Sequence, residues 1–152
     1  MSKKIQEIEA ESIWNIDSRR DLKAFIAEHS KIQTAERKFR NSMLSIQYEI
    51  EDYIGGEITH SKLLPLDFIK KYLKLMKLSQ KKFAEFIEIE NSNLHKYLTG
   101  ERKLNSNLVV KISTFTHTKP AHWLGIENRN ELNEIEKEWN NKKKYKKYDF
   151  TT

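Results

Sequence analysis

Cysteine is absent from this 152-residue chain, and glycine and proline are scarce, at four and two residues. Without thiols there is no disulfide scaffold, no thiolate zinc site and no cysteine nucleophile. Four glycines leave no room for a glycine-rich phosphate loop, and neither G-x-G-x-x-G nor G-x-x-x-x-G-K occurs. No apolar run approaches the roughly 18 residues that a membrane span needs. The N-terminus, MSKKIQEIEAESIW, is too acidic and polar for a secretory signal. A cytoplasmic, soluble chain with no membrane partner is expected. Hydrophobic residues make up 38% and charged residues 33%, which supports a modest core but not a large barrel or a doubly wound sheet.

What the chain does have is charge, unevenly placed. Residues 1–60 hold 9 Lys/Arg and 11 Asp/Glu, for −2, whereas residues 61–152 hold 19 and 11, for +8. A basic half is a cue for a nucleic-acid partner. Gly55, Gly56 and Pro65 bracket the segment EITHSKLLP, which is read as the joint between two modules. The expected organisation is a helical N-terminal module over 1–57, a second module over 58–128, and a helical extension with a Lys-rich tail over 129–152.

Before the joint the pattern is helical, with a first helix capped by Asp17 or Ser18 and carrying Leu22, Phe25 and Ile26. A longer one is expected over about 33–54, where Ala35, Phe39, Met43, Ile46, Ile50 and Tyr53 step by three or four along one face. After the joint come four or five shorter helices. Pro65 suits a first helical position, with Asp67 near the positive end of the dipole. Ser79 and Asn105 are good N-caps, Asn91 or Glu90 opens a helix that Gly100 closes, and Pro120 starts one that extends towards Trp139. No strand signal of useful length occurs. The fold class is all-α.

The segment QKKFAEFIEIENSNLHKYLT, residues 80–99, carries the specific signal. Two short helices that cross steeply need a small residue at their contact, Ala84, and buried contacts around the turn, supplied by Phe83, Ile87, Ile89, Leu94 and Tyr97. The polar remainder lies on the outer face and at the N-terminus of the second helix, the end that a recognition helix points at base edges. From about Leu66 to Leu124 the chain resembles the Xre family of helix-turn-helix regulators, which share the lambda-repressor-like five-helix fold. The family usually has glycine in the turn where this chain has Glu88. A left-handed backbone at Glu88 would cost about 1–2 kcal/mol.

That resemblance implies a base-reading face of Asn91, Ser92, Asn93, His95 and Lys96, and a phosphate contact by Gln80 at the start of the helix pair. Asn can bond an adenine edge bidentately, and Lys can reach guanine or a phosphate. Lys81, Lys82, Arg102 and Lys103 are candidate phosphate contacts, which add affinity without sequence information. The plainer alternative is that these polar side chains are simply solvated. A homodimer on a double-stranded DNA operator with inverted-repeat symmetry is the expected assembly.

Downstream, Thr118, Pro120, Trp123 and Leu124 resemble the segment that opens the fifth helix in HigA-type antitoxins of type II toxin–antitoxin systems. Such proteins repress their own operon and neutralise a toxin protein. Trp123 and Leu124 also read as residues that close the five-helix core. The first 60 residues lie outside the resemblance. Phe39, Met43, Ile46, Ile50 and Tyr53 are read three ways: packing within the chain, a dimer seam, or a partner-binding surface. Glu49, Glu51, Asp52 and Glu57, with no Lys or Arg between 41 and 61, favour an electropositive neighbour, either a toxin or the basic module itself.

The tail holds five Lys between 142 and 147. It is read as a disordered arm that adds salt-dependent DNA affinity, or as a solvated terminus without a role. Of the five His, at 29, 60, 95, 117 and 122, none sits at metal-ligand spacing. His122 is read as a surface or interfacial residue. No nucleophile elbow or paired-carboxylate motif points to an enzyme. Catalytic residues, metal, cofactor and small-molecule ligand are all expected to be none. The expected function is a sequence-specific transcriptional repressor, within that class an antitoxin. A phage or mobile-element repressor without a toxin, and a protein-interaction adaptor that no longer binds DNA, are the alternatives.

Overall fold

The computed structural model describes residues 16–56 and 61–151. The described residues form seven α-helices and a 3-10 turn, with no strand, as the all-α reading requires. They are α1 (Ile16–Gly55), α2 (Pro65–Met76), α3 (Gln80–Phe86), α4 (Asn91–Leu98), α5 (Ser106–Thr116), α6 (Pro120–Trp139) and α7 (Lys142–Tyr145), followed by the 3-10 turn Lys146–Tyr148. Residues 1–15 and 57–60 lie outside the described set, and with them most of the loosely patterned N-terminus, the middle of the expected joint and Glu57.

Two expectations about the N-terminal half are corrected. The two helices foreseen there are one, because no Gly or Pro interrupts residues 16–54. Asp17 and Ser18, expected at its start, already lie within the bounds of that helix. The chain divides into two compact units, Met1–Asn41 and Ser42–Thr152, rather than at residue 57. The physical reason is burial: Met43, Ile46 and Ile50 share one core with Phe68, Tyr72, Phe83, Leu94, Ile112 and Trp123.

Within the second unit, each helix begins and ends for a local reason. Pro65 occupies the first turn of α2, and the Asp67 carboxylate accepts from the Leu64 N–H at 2.7 Å. Ser79 Oγ accepts from the Lys82 N–H at 3.1 Å, and Asn105 Oδ1 accepts from the Leu108 N–H at 2.9 Å. Lys77 and His117 end α2 and α5 in the left-handed conformation, at φ 57° and 55°. In both, the next residue's N–H reaches back five residues, Leu78 to Leu73 and Thr118 to Ser113. These are Schellman closures made without glycine.

The core is aromatic at its centre. Trp123 is fully buried, and its indole N–H donates to Thr118 Oγ1 at 2.7 Å. Tyr72 lies 6.2 Å from Trp123 between ring centres, and its buried hydroxyl has no hydrogen-bond partner among the described residues. Burial, with Glu49 nearby, pushes the Tyr72 phenol up to about 12. Leu124, expected to help close the core, is 41% exposed. It stands about 100° around the helix from Trp123, whereas Ile126 returns to the inner face three residues on.

The acids of Ser42–Gly55 meet the helices packed around them. Glu49 pairs with Lys71 of α2, and Glu51 Oε1 lies 3.0 Å from His122 Nε2. His122 is buried rather than superficial. Its Nδ1 accepts the Lys119 N–H at 3.1 Å, which leaves Nε2 to carry the proton donated to Glu51.

Candidate nucleic-acid interface

The pair α3–α4 presents the site. Phe83 and Ala84 on α3 and Leu94 and Leu98 on α4 are buried, while Ile89 and Tyr97 are half-buried. Between the helices, Glu88 takes φ 59°. Its N–H bonds the Glu85 carbonyl at 3.2 Å, and the Ile89 N–H bonds the Ala84 carbonyl at 3.0 Å. The turn is therefore another Schellman closure, and the left-handed backbone foreseen at Glu88 is present. Lys111 of α5 donates its amine to the Ile87 carbonyl at 2.8 Å, which fixes the end of α3 from a distant helix.

On the outer side of α4, Asn91, Ser92 and His95 are exposed, and Asn93 and Lys96 are half-buried. Gln80 Nε2 donates to Asn91 Oδ1 at 3.0 Å and lies 3.5 Å from His95 Nδ1. The residue expected to touch a phosphate is thus coupled across the turn to the face expected to read bases. Ser92 Oγ donates to Glu90 Oε1 at 3.0 Å, and Arg102 Nη1 donates to Asn93 Oδ1 at 2.6 Å.

The flanking cations differ in how far they are committed. Lys82 pairs with Glu85 at 3.5 Å and Lys103 with Glu131 at 3.3 Å, both on exposed side chains. Such pairs are worth about 1 kcal/mol or less and yield readily to a phosphate. Lys81 and Lys96 make no ion pair among the described residues. Glu85 faces the Lys82 cation, which lessens its repulsion of an approaching phosphate, and Glu90 accepts from the Ser92 hydroxyl.

Residues 69–123 match the family described as Helix-turn-helix. A relative in Escherichia coli (strain K12), the uncharacterized HTH-type transcriptional regulator YddM, is 33% identical over 73 residues, covering 48% of this chain and 78% of the relative. The chain belongs to the helix-turn-helix family. No solved structure matches it. As a helix-turn-helix regulator it falls among DNA-binding transcription regulators, and the matched window runs from within α2 to the first turn of α6.

The helix-turn-helix also depends on residues that sequence reasoning missed. The loop between α4 and α5, which carries Arg102 and Lys103, is anchored where Glu127 of α6 accepts the Leu104 N–H at 2.8 Å. Glu127 is 23 residues from its partner, so no local pattern marked it. Of the five residues read as a partner surface, Met43, Ile46 and Ile50 are buried in the core. Tyr53 is half-buried, accepting the Leu63 N–H at 3.1 Å and donating to Asn130. Only Phe39 is exposed, so these five cannot together form a surface for a partner.

The tail is likewise more ordered than expected. Glu138 accepts from the Tyr145 hydroxyl at 2.7 Å and from Lys144 Nζ at 3.3 Å, and Lys142 Nζ sits 3.8 Å from the Trp139 ring centre. These contacts tie α7 to the end of α6.

Proposed function

We propose that this protein is a sequence-specific transcriptional repressor, which binds an inverted-repeat operator as a homodimer and reads it through Asn91, Ser92, Asn93, His95 and Lys96. The observation that carries this reading is the Gln80–Asn91 coupling on the outer side of α4, where Asn91, Ser92 and His95 are exposed. It gives the recognition helix a fixed side-chain frame and leaves the Asn91 amide hydrogens and the Gln80 carbonyl oxygen to face a groove. Gln80, Lys81, Lys82, Arg102 and Lys103 supply the phosphate contacts. Successive major grooves lie about 34 Å apart, which sets the half-site spacing.

Within this class, the Thr118, Pro120, Trp123 and Leu124 resemblance favours the autoregulating antitoxin of a type II toxin–antitoxin module. The structure gives Thr118 and Trp123 a core role of their own, so the antitoxin reading rests on the resemblance. The exposed Leu124 is one side chain the core does not claim.

A salt-titrated gel shift of the full chain tests the reading, with its own promoter DNA set against a scrambled duplex. Preference for the promoter that survives near-physiological salt is expected. Equal binding to both, collapsing steeply as salt rises, would leave only charge attraction and favour the adaptor alternative. Co-purification with the product of a neighbouring gene, and relief of that product's toxicity, tests the antitoxin reading. A promoter-specific repressor with no such neighbour is the phage or mobile-element alternative.

A further inference from the structure

The segment of α1 in the first unit carries a face that no other described residue covers. Every described side chain from Arg19 to Asn41 is exposed, including Leu22 at 39%, Phe25 at 65%, Ile32 at 58% and Phe39 at 42%. These four, with His29 and Glu36 between them, fall at alternating steps of three and four: 22, 25, 29, 32, 36 and 39. That is the a/d seam of a coiled coil, kept over two and a half heptads. The same steps continue to Met43, Ile46, Ile50 and Tyr53, which the second unit's own core and hydrogen bonds occupy.

We propose that Leu22–Phe39 is a homodimer seam, in which the segments of two copies pair antiparallel. The numbering makes the seam self-complementary. Paired antiparallel about the point between Ser30 and Lys31, Leu22 meets the second copy's Phe39, Phe25 meets its Glu36, and His29 meets its Ile32. Each pairing then recurs with the copies exchanged, as an isologous two-fold interface requires. Parallel pairing would instead set Glu36 against Glu36 in the seam, and burying two like charges against each other is costly. In the antiparallel arrangement no seam position faces its own kind.

Local contacts prepare this face. The His29 ring stacks on Phe25 with centres 5.9 Å apart and planes within 4°, and Gln33 Nε2 lies 3.1 Å from His29 Nε2. Glu36 is paired with Arg40 at 3.8 Å, so its charge arrives partly compensated beside Phe25. Ile26, 52% exposed, widens the apolar stripe. Two copies bring together ten large apolar side chains, which at roughly 100 Å² each reach the ~1,000 Å² that a specific interface needs. The pairing rests on the repressor reading for its purpose, since an inverted repeat requires two reading heads.

The test uses the full chain. Sedimentation velocity at micromolar concentration is expected to show a dimer. Phe25→Glu and Ile32→Glu should convert it to a monomer with unchanged helical circular dichroism, because both side chains are solvent-exposed in the single chain. Leu44→Glu, exposed on α1 but off the seam, should remain dimeric. The absence of native cysteine allows a direct test of direction. Leu22→Cys mixed with Phe39→Cys should form an intermolecular disulfide, and Leu22→Cys alone should not, because its two sulfurs would lie about 26 Å apart. A monomeric wild type, a dimer indifferent to both glutamates, or self-crosslinking of Leu22→Cys overturns the proposal. A monomer that still prefers its promoter overturns the seam alone; a dimer without promoter preference overturns the repressor reading alone.

Discussion

Gln80 and Asn91, each the first residue of its helix, are joined by a 3.0 Å side-chain hydrogen bond across the turn of the helix pair. Gln80, proposed to contact a phosphate, is thereby coupled to the face proposed to read bases. Gln80→Ala should weaken binding to all duplexes and also loosen Asn91, whereas Asn91→Ala should remove about 1–3 kcal/mol of discrimination at one base pair. Because the two side chains touch, the double variant should lose less than the sum of the singles. Titrations of promoter and single-base variants against all four proteins measure this coupling. Strict additivity would mean that the two side chains act independently on DNA.

The turn offers a stability test that leaves the reading face intact. Glu88 holds φ 59°, where a residue with a Cβ is strained and glycine is not. Glu88→Gly should therefore raise the unfolding free energy by about 1 kcal/mol in urea titrations. Glu88→Gln keeps the backbone cost and removes the charge, so it should leave stability near wild type. If glycine proves destabilising, the turn is not strained in the way its dihedral implies.

That turn also shows how far the sequence could be read. Ser79, Asn105, Pro65 and Pro120 mark helix starts through chemistry confined to one turn, and each lies where the pattern put it. The contacts that position the site are of another kind. Lys111 reaches Ile87 over 24 residues and Glu127 reaches Leu104 over 23, through charged side chains that read as solvated when taken alone. The Phe39–Tyr53 stripe was visible as one helix face, but periodicity does not say what covers it. Burial assigns Met43, Ile46 and Ile50 to the second unit's core and leaves Phe39 outside. The buried His122 reads as surface or interfacial from the sequence for a similar reason, since its partner Glu51 lies 71 residues away.

Glu51 and His122 predict a response to acid. The hydrogen bond from His122, aided by one from Gln47, holds the Glu51 carboxyl below the usual carboxylate range. A depressed carboxylate contributes stability that is present above its unfolded value and lost as pH falls through the folded one. The contribution should therefore be complete at neutral pH and disappear on descent below the ordinary carboxylate range. Glu51→Gln should lower stability at pH 7 and flatten its dependence on pH in the acid limb, read by urea unfolding at a series of pH values. An acid limb as steep as that of the wild type would assign the dependence to other carboxylates.

The tail tests whether charge or order matters at the C-terminus. Lys142, Lys143, Lys144, Lys146 and Lys147 lie on α7 and the 3-10 turn, which Glu138 and Trp139 tie back to α6. A chain ending at Asn141 keeps every buried residue of the core, so its fold and promoter preference should persist. If the five lysines meet DNA phosphates, the slope of log K against log salt should become shallower by about 4–5, at about 0.9 per phosphate neutralised. Promoter and scrambled duplex should lose affinity alike, because phosphate contacts carry no sequence information. An unchanged slope would confine DNA contact to the helix-turn-helix and leave the Lys144–Glu138 and Lys142–Trp139 contacts as end-stabilisation of α6, to be seen as a modest loss of helicity in the truncated chain.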